Sequence, residues 1–182
     1  MPDLTDQALV HQTRGADVES DGELVRRYQA PVFNVCYRVL GERREAEDLA
    51  QEAFIRAHER LRTYDETRPF GPWIRRVAAN MCLNHLRSHR RVVQPLDDEH
   101  DLPAAEPGSD LASAVEEGEA QSRVREAILS LPPNYRAVIE LRHFQGLTYD
   151  EMAQALSLPL SDIKSHLFRS RRLLAQRLRT DE

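Results

Sequence analysis

The sequence predicts an all-α protein of two small helical domains joined by a flexible acidic linker. Three observations carry this reading. Apolar residues recur at spacings of three and four along most of the chain, the period of one helix face. Glycine and proline punctuate these stretches at Gly41, Gly71, Pro72, Pro132, Pro133, Gly146 and Pro159, where helices stop and start. Charge is also segregated. Residues 19–94 carry 14 basic and 11 acidic side chains and residues 121–182 carry ten and seven, whereas residues 95–120 carry nine acids and no base. The net charge of −5 therefore averages over two mildly basic blocks and a strongly acidic connector. The boundaries expected are a tail at 1–18, a first domain at 19–94, a linker at 95–121 and a second domain at 122–182.

Composition narrows the class. A chain of 182 residues can form one domain or two small ones. Its two cysteines, Cys36 and Cys82, sit within helical patterns and lack CxxC spacing. They read as buried thiols in a reducing compartment, not as a zinc site. No apolar run approaches 18 residues, and the N-terminus lacks the pattern of a secretory signal. A cytoplasmic protein without a membrane span is expected.

The elements follow in order. Residues 1–18 are weakly patterned and read as a frayed tail or a short first helix. Leu24, Val25, Tyr28, Val32, Phe33, Cys36, Tyr37 and Leu40 give a helix that Gly41 ends. Pro31 lies inside it and predicts a kink or break near Ala30. Residues 45–61 form the strongest helix, with Leu49, Ala53, Ile55, Ala57 and Leu61 available for a buried face. Glu47, Asp48, Gln51, Glu52 and Arg56 fall on another face, and Phe54 falls on the exposed side or at its edge. That face reads equally well as solvated or as a partner surface.

Residues 62–71 form a loop longer than a helical connection needs, carrying Tyr64 and Phe70. Such a loop either stacks unpaired bases or is pinned to the core by its aromatics. Residues 72–91 form a helix with Pro72 suited to its first position. Ile74, Val77, Ala78, Met81, Cys82 and Leu86 hold core spacing. Trp73, Arg76, Asn80, Asn84, Arg87 and Arg91 lie on or near the other side. Residues 67–96 contain six arginines and no acid. Charge, a stacking ring and amide side chains together suit single-stranded nucleic acid, although a lone tryptophan more often packs in a core.

After the linker, Val124, Ile128 and Leu131 give a helix stopped by Pro132–Pro133, and Tyr135, Val138, Ile139, Leu141 and Phe144 give the next. Residues 148–178 then read as a helix-turn-helix. Thr148 and Glu151 form a capping box. Met152, Ala153 and Leu156 face inward. Ser157-Leu158-Pro159 makes the turn, because a proline disfavours helix for the residue before it. Ser161 is a candidate N-cap, and Asp162 suits the first turn. Ile163, Leu167, Leu174 and Leu178 form the inner stripe. Lys164, Ser165, Phe168, Arg169, Arg171 and Arg172 form the outer face, and no acid occurs in residues 164–179.

Three of these stretches together resemble one family. Residues 46–61 (AEDLAQEAFIRAHERL), 70–91 (FGPWIRRVAANMCLNHLRSHRR) and 131–174 (beginning LPPNYRAVIELRHFQGLTYDEMA) are similar, in order and spacing, to bacterial RNA polymerase sigma factors of the extracytoplasmic function (ECF) class of the sigma-70 family. The resemblance covers nearly all of residues 20–179. It implies a factor that binds core RNA polymerase and directs promoter-specific initiation, with no catalytic residue, cofactor or metal of its own. It implies that Asp48, Gln51, Glu52, Phe54 and Arg56 dock on the clamp helices of the largest polymerase subunit, with a further contact to the flap. Tyr64, Phe70, Trp73, Arg76, Asn80, Arg87, Arg90 and Arg91 would engage the melted −10 element, one loop aromatic taking a flipped base. Ser161, Lys164, Ser165, Phe168, Arg169, Arg171 and Arg172 would meet duplex DNA at the −35 element. An anti-sigma factor is a further implied partner, and the linker would thread the polymerase cleft. The chain departs from the family pattern at Ser157, where glycine is usual, so that either Ser157 takes left-handed backbone at some strain or the turn differs slightly, and at Ser161–Asp162, where Gly-Thr is frequent. The alternative from another class is a stand-alone helix-turn-helix regulator that binds duplex DNA without polymerase. The loop and acid-free helix at 62–91 separate the two readings.

Overall fold

The computed structural model describes residues 4–93 and 118–180, with side chains to Ser88 and from Gly118 to Arg179. Most of the acidic linker, with the expectations attached to it, lies outside the described residues, as do the side chains of Arg90 and Arg91.

Eight α-helices and no strand occur among the described residues. In order they are α1 (Asp6–Arg14), α2 (Val18–Leu40), α3 (Arg43–Arg60), α4 (Phe70–Val93), α5 (Glu119–Leu129), α6 (Pro133–Ile139), α7 (Tyr149–Leu156) and α8 (Leu160–Thr180). A 3₁₀ turn at Leu61–Thr63 follows α3, and a π turn at Glu140–Phe144 follows α6.

Capping chemistry sets the boundaries. The Thr5, Asp17 and Glu42 side chains accept backbone N–H groups at the starts of α1, α2 and α3, the donors a helix leaves unpaired. Gly41 ends α2 at φ 78°, where its N–H reaches the Tyr37 carbonyl, a left-handed cap that glycine adopts without strain. The tail reading at 1–18 gives way to its alternative, a first helix. Leu9 and Val10 of α1 are fully buried, and Asp6 accepts from the Tyr28 hydroxyl and from Arg27.

Pro31 does not break α2, which runs unbroken for 23 residues. A proline removes one intrahelical bond, and Val32, Val35, Cys36 and Val39 beside it bury their side chains completely or nearly so. Burial of each such group is worth about 1.5–3 kcal/mol, enough to carry the helix past the defect. Cys36 on α2 and Cys82 on α4 are both fully buried and unbridged. A hydrogen bond with Cys36, with burial, pushes the Cys82 thiol well above the usual thiol range.

Helix α3 shows the largest difference from the pattern reading. Its inner stripe is Ala46, Leu49, Ala50, Ala53 and Ala57. Ile55, expected inside, is 62% exposed, while Phe54 is half-buried against the core. Alanine on the inner side lets α3 lie close to α2 and α4, and the large residues that reach the core are Leu49 and, in part, Phe54.

The two halves pack together. One hydrophobic core includes Leu9, Leu24, Val35, Ile74 and Leu83 along with Val138, Leu141, Met152, Ile163 and Leu167. Arg136 of α6 is buried between them. Its Nε donates to the Val39 carbonyl at 3.0 Å and one Nη to the Leu40 carbonyl at 2.8 Å. The other Nη donates to the carbonyls of Leu129 and Leu131 at 2.9 and 3.0 Å. The acceptors at Val39 and Leu40 belong to the end of α2, where the helix dipole favours a cation. Burial lowers the Arg136 pKa to about 10, so the guanidinium stays charged at neutral pH. Glu140 is 1% exposed and accepts from Arg38 Nε at 2.6 Å and from Gln145 at 2.8 Å. The same Arg38 guanidinium lies 4.0 Å from the centre of the Phe144 ring, within cation–π range.

Candidate nucleic-acid and protein interfaces

Three surfaces collect the candidate residues. On α3, Asp48, Gln51, Glu52 and Arg56 are all exposed. Residues 48, 51, 52 and 55 are related by steps of three and four, so Ile55 stands in the middle of this polar face. Sequence reasoning assigned Ile55 to the core. The available signal was the helical register, which puts it with 51 and 52 and opposite Ala50, Ala53 and Ala57. A large aliphatic side chain thus stands exposed among carboxylates and an amide. Phe54 stands at the edge of this face, its ring partly withdrawn into the core.

The second surface is α4 with the loop before it. Trp73 is half-buried, and its ring centre lies 4.7 Å from that of Tyr64 and 5.5 Å from that of Phe70. Phe70 in turn meets Tyr28 edge-on at 5.2 Å. Tyr64 and Phe70, candidates either for stacking a base or for pinning the loop, are 5% and 3% exposed. Their burial counts against the stacking role and for the alternative: the loop's aromatics pin it to the core. The Tyr64 hydroxyl also donates to the Arg68 carbonyl, closing the loop on itself. Burial pushes the Tyr64 phenol above its usual value, with Asp6, Asp65 and Glu66 adding to the effect. Gly71 is required here, because a Cβ at that position would come within 2.9 Å of the Tyr28 ring.

Beyond this aromatic box, Arg76, Asn80 and Asn84 are exposed along one side of α4. They line a cleft of about 500 Å3 whose far wall is Leu147, Glu151, Gln154 and Ala155. Asn84 extends the amide row of Asn80 by one turn. Arg87 donates from one Nη to the Ala155 carbonyl at 2.6 Å across the same gap, which ties α4 to α7. Helix α4 begins at Phe70, which puts Pro72 at its third residue and not its first; its missing N–H is still one that a helix start leaves unpaired.

The third surface is the helix-turn-helix. The Thr148 side chain accepts from Glu151 N at 3.2 Å, and the Glu151 carboxylate accepts from Thr148 N at 2.8 Å. Those bonds hold the Glu151 carboxyl below its usual range. Ser157 adopts φ 51° and ψ 43°, the first of the two outcomes left open for it, at the modest strain a non-glycine residue bears there. The start of α8 differs in detail. The Pro159 carbonyl accepts from Asp162 N and Ile163 N, so helix begins at Leu160 and Ser161 is already inside it. The Ser161 hydroxyl meets the Asp162 carboxylate at 3.2 Å instead of capping. Ile163 and Leu167 are buried, Ser170 joins them by donating to the His166 carbonyl, and Leu174 is half-buried. Outward stand Lys164, Ser165, Phe168, Arg169, Arg171 and Arg172. Phe168 is 68% exposed among these cations, so an apolar surface and guanidinium forks lie side by side. Thymine methyls and guanine edges in a major groove offer that pairing. The His143 imidazole has its pKa lowered by burial, with Arg171 and Arg142 adding to the effect.

No helix is long and apolar enough to cross a membrane, and no group of three His, Cys, Asp or Glu side chains could hold a metal, among the described residues.

Comparison with known proteins follows the same division. Sigma-70 region 2 matches residues 24–92, and Sigma-70 region 4 matches residues 121–174. The ECF RNA polymerase sigma factor SigW of Bacillus subtilis is 31% identical over 180 residues, covering 93% of this chain and 95% of the relative. The ECF RNA polymerase sigma-E factor of Escherichia coli K12 is 32% identical over 178 residues, covering 92% and 91%. Among solved structures, the sigma factor RpoE from Bartonella quintana, in complex with the anti-sigma factor NepR, shares the fold. Its TM-score is 0.58 at 19% identity, over 91% of this chain and all of the other.

Proposed function

The chain belongs to the ECF RNA polymerase sigma factors of the sigma-70 family, and from that premise we propose how its surfaces divide the work of promoter-specific initiation. Sigma factors are not enzymes, so the work is binding. The exposed face of α3, with Asp48, Gln51, Glu52, Ile55 and Arg56, docks on the clamp helices of core polymerase. Trp73, Arg76, Asn80 and Asn84 hold the separated strands of the −10 element. Tyr64 and Phe70 shape the loop beside them without stacking on a base themselves. Lys164, Ser165, Phe168 and Arg169 read the −35 duplex, and Arg171 and Arg172 hold its phosphates. An anti-sigma factor that covers these faces is the natural regulator.

The observation that carries the reading is the coexistence, on one chain, of an α4 face suited to single strands and an α8 face suited to duplex. A stand-alone duplex-binding regulator has no use for the first, and the region 2 match excludes it as the better account. The cleft adds a consequence. Arg76 and Asn80 look across about 500 Å3 at Glu151 and Gln154, and the Glu151 carboxylate would repel a phosphate chain there. Engagement of −10 DNA therefore requires α7 to withdraw from α4, breaking the Arg87 bond to the Ala155 carbonyl.

The test is reconstitution. The purified chain is mixed with core polymerase and promoter DNA, and holoenzyme and transcript are measured. Holoenzyme formation with transcription dependent on both elements is expected. Absence of holoenzyme, or duplex binding that needs no polymerase and ignores the −10 sequence, would sink the proposal.

A further inference from the structure

Helix α1 is fastened to the loop that precedes the −10 face by a single side chain. Arg14, the last residue of α1, donates from Nε to the Leu61 carbonyl at 2.9 Å and from one Nη to the Tyr64 carbonyl at 2.5 Å. Its other Nη pairs with the Glu66 carboxylate. A guanidinium has a rigid planar fork, and here its three nitrogens meet three acceptors spread over six residues of one loop. Lysine carries one nitrogen and could not span them.

The fork is held from behind. Leu9 and Val10 bury α1 in the core, the Ser20 hydroxyl donates to the Gln12 amide oxygen at 2.6 Å, and Asp6 accepts from Arg27 Nη1 at 3.1 Å and from the Tyr28 hydroxyl. In front of the fork, the residue whose carbonyl it grips is the one whose ring touches Trp73, at 4.7 Å between centres. Tyr64 therefore transmits its backbone position to Trp73. Tyr28 closes the circuit: its hydroxyl bonds Asp6 of α1 and its ring meets Phe70, which also packs on Trp73. The one tryptophan of the chain is thus positioned from α1 by two routes, through Tyr64 and through Tyr28 and Phe70.

We propose that Arg14 is a positioning residue for promoter opening, fixing the 62–69 loop so that Tyr64 sets Trp73 at the angle from which it meets the −10 strand. The inference rests on the reading of the Trp73 face as the −10 site. It gives α1 a part in initiation even though α1 itself offers DNA none of the proposed contacts. A ring held in a packed box loses little freedom when it meets a base, whereas a loose ring must be ordered at that moment. Small misplacements of groups that must meet a reacting or flipped partner cost far more than their local contacts suggest.

The experiment uses the full chain with core polymerase, comparing wild type, Arg14→Ala, Arg14→Lys and Glu66→Gln. Three quantities are measured: affinity for core polymerase, open-complex formation on a promoter and on its single-base −10 variants, and emission of Trp73 in the free protein. Wild type should discriminate among −10 variants; if it does not, the −10 reading itself fails, independently of Arg14. With discrimination present, Arg14→Ala should lower open-complex formation roughly tenfold to a hundredfold and flatten the preference among −10 variants. Polymerase affinity should stay within about twofold. Trp73 emission should shift to the red with easier quenching. Arg14→Lys should recover part of the opening, because it keeps the pair with Glu66, and Glu66→Gln should produce a smaller change in the same direction. If Arg14→Ala is too unstable to purify, Glu66→Gln decides alone. Unchanged opening and unchanged Trp73 emission would overturn the proposal. So would an opening defect that scales with lost polymerase affinity while the preference among −10 variants persists, since that pattern marks general destabilisation.

Discussion

Replacement of Arg136 by methionine should uncouple the two halves of the protein. The wild-type guanidinium satisfies four carbonyls, two at the end of α2 and two around the α5–α6 turn, and is 3% exposed. Each hydrogen bond to a charged group contributes about 1.5–3 kcal/mol net. Four such bonds would sum to roughly 6–12 kcal/mol, but burial of an arginine without a carboxylate partner costs several kcal/mol in return. Methionine removes the burial cost and fills most of the volume, yet leaves the four carbonyls without their donor at about 1–3 kcal/mol for each that water cannot reach. With about half of them rehydrated, two unpaired carbonyls remain and the net loss is roughly 2–6 kcal/mol, a large share of a typical total of about 5–15 kcal/mol.

The assay is urea denaturation at neutral pH followed by two probes. Helicity reports on the whole chain, and Trp73 emission reports only on α1–α4. The wild-type transitions should coincide, as for one cooperative unit. In the variant the midpoint should fall, and the two probes should separate as α5–α8 unfolds first. Gly41→Ala attacks the same contact from the other side. A Cβ there would stand 3.0 Å from the guanidinium at a φ of 78°, and left-handed strain alone costs about 1–2 kcal/mol. A loss below about 1 kcal/mol for Arg136→Met, with coincident transitions, would refute the reasoning that this side chain joins the halves.

Ile55→Ser should weaken core polymerase binding about tenfold with little change in thermal stability, measured by competition against wild type; a stability loss of core size would return Ile55 to a packing role. Asn80→Ala should reduce open-complex formation on duplex promoters while leaving polymerase affinity unchanged, and loss of that affinity would mark the residue as structural. Arg169→Ala should flatten −35 discrimination by about 1–3 kcal/mol at the guanine it contacts, checked on single-base −35 variants. Acid should loosen the helix-turn-helix in a definable window. The Glu151 carboxyl is held below the ordinary glutamate value of 4.5 by the Thr148 N–H, so its stabilisation is complete above about pH 4.5. It is lost as pH falls through the lower folded-state pKa. Circular dichroism between pH 6 and 2 should show this loss, and Glu151→Gln should shrink its pH-dependent part.

Local chemistry was legible wherever a residue answers to its immediate neighbours. The capping box at Thr148 and Glu151 and the left-handed stops at Gly41 and Gly146 follow from bonds spanning a few residues. Pro31 misled because its local rule is correct but small against the packing of a 23-residue helix. Ile55 and Phe54 exchanged roles because alanines supply most of the inner stripe of α3, so bulk apolar residues no longer mark the inside. Tyr64 and Phe70 have one composition and two readings, and only the positions of Tyr28 and Trp73 decided for the core.

By itself the sequence determined an all-helical chain, the order of its helices, the segregation of charge and the three motifs that name its family. The tertiary structure decided which faces are free. It buried Arg136 against carbonyls of residues 96 and 97 positions away and tied Arg87 to a helix 68 positions downstream. It also turned a weakly patterned N-terminus into the support of a loop 50 residues on. The division has one physical cause. Caps and periodicity are set by energies between near neighbours and repeat in every protein, whereas burial depends on which distant surfaces meet, and no stretch of sequence contains its own partner.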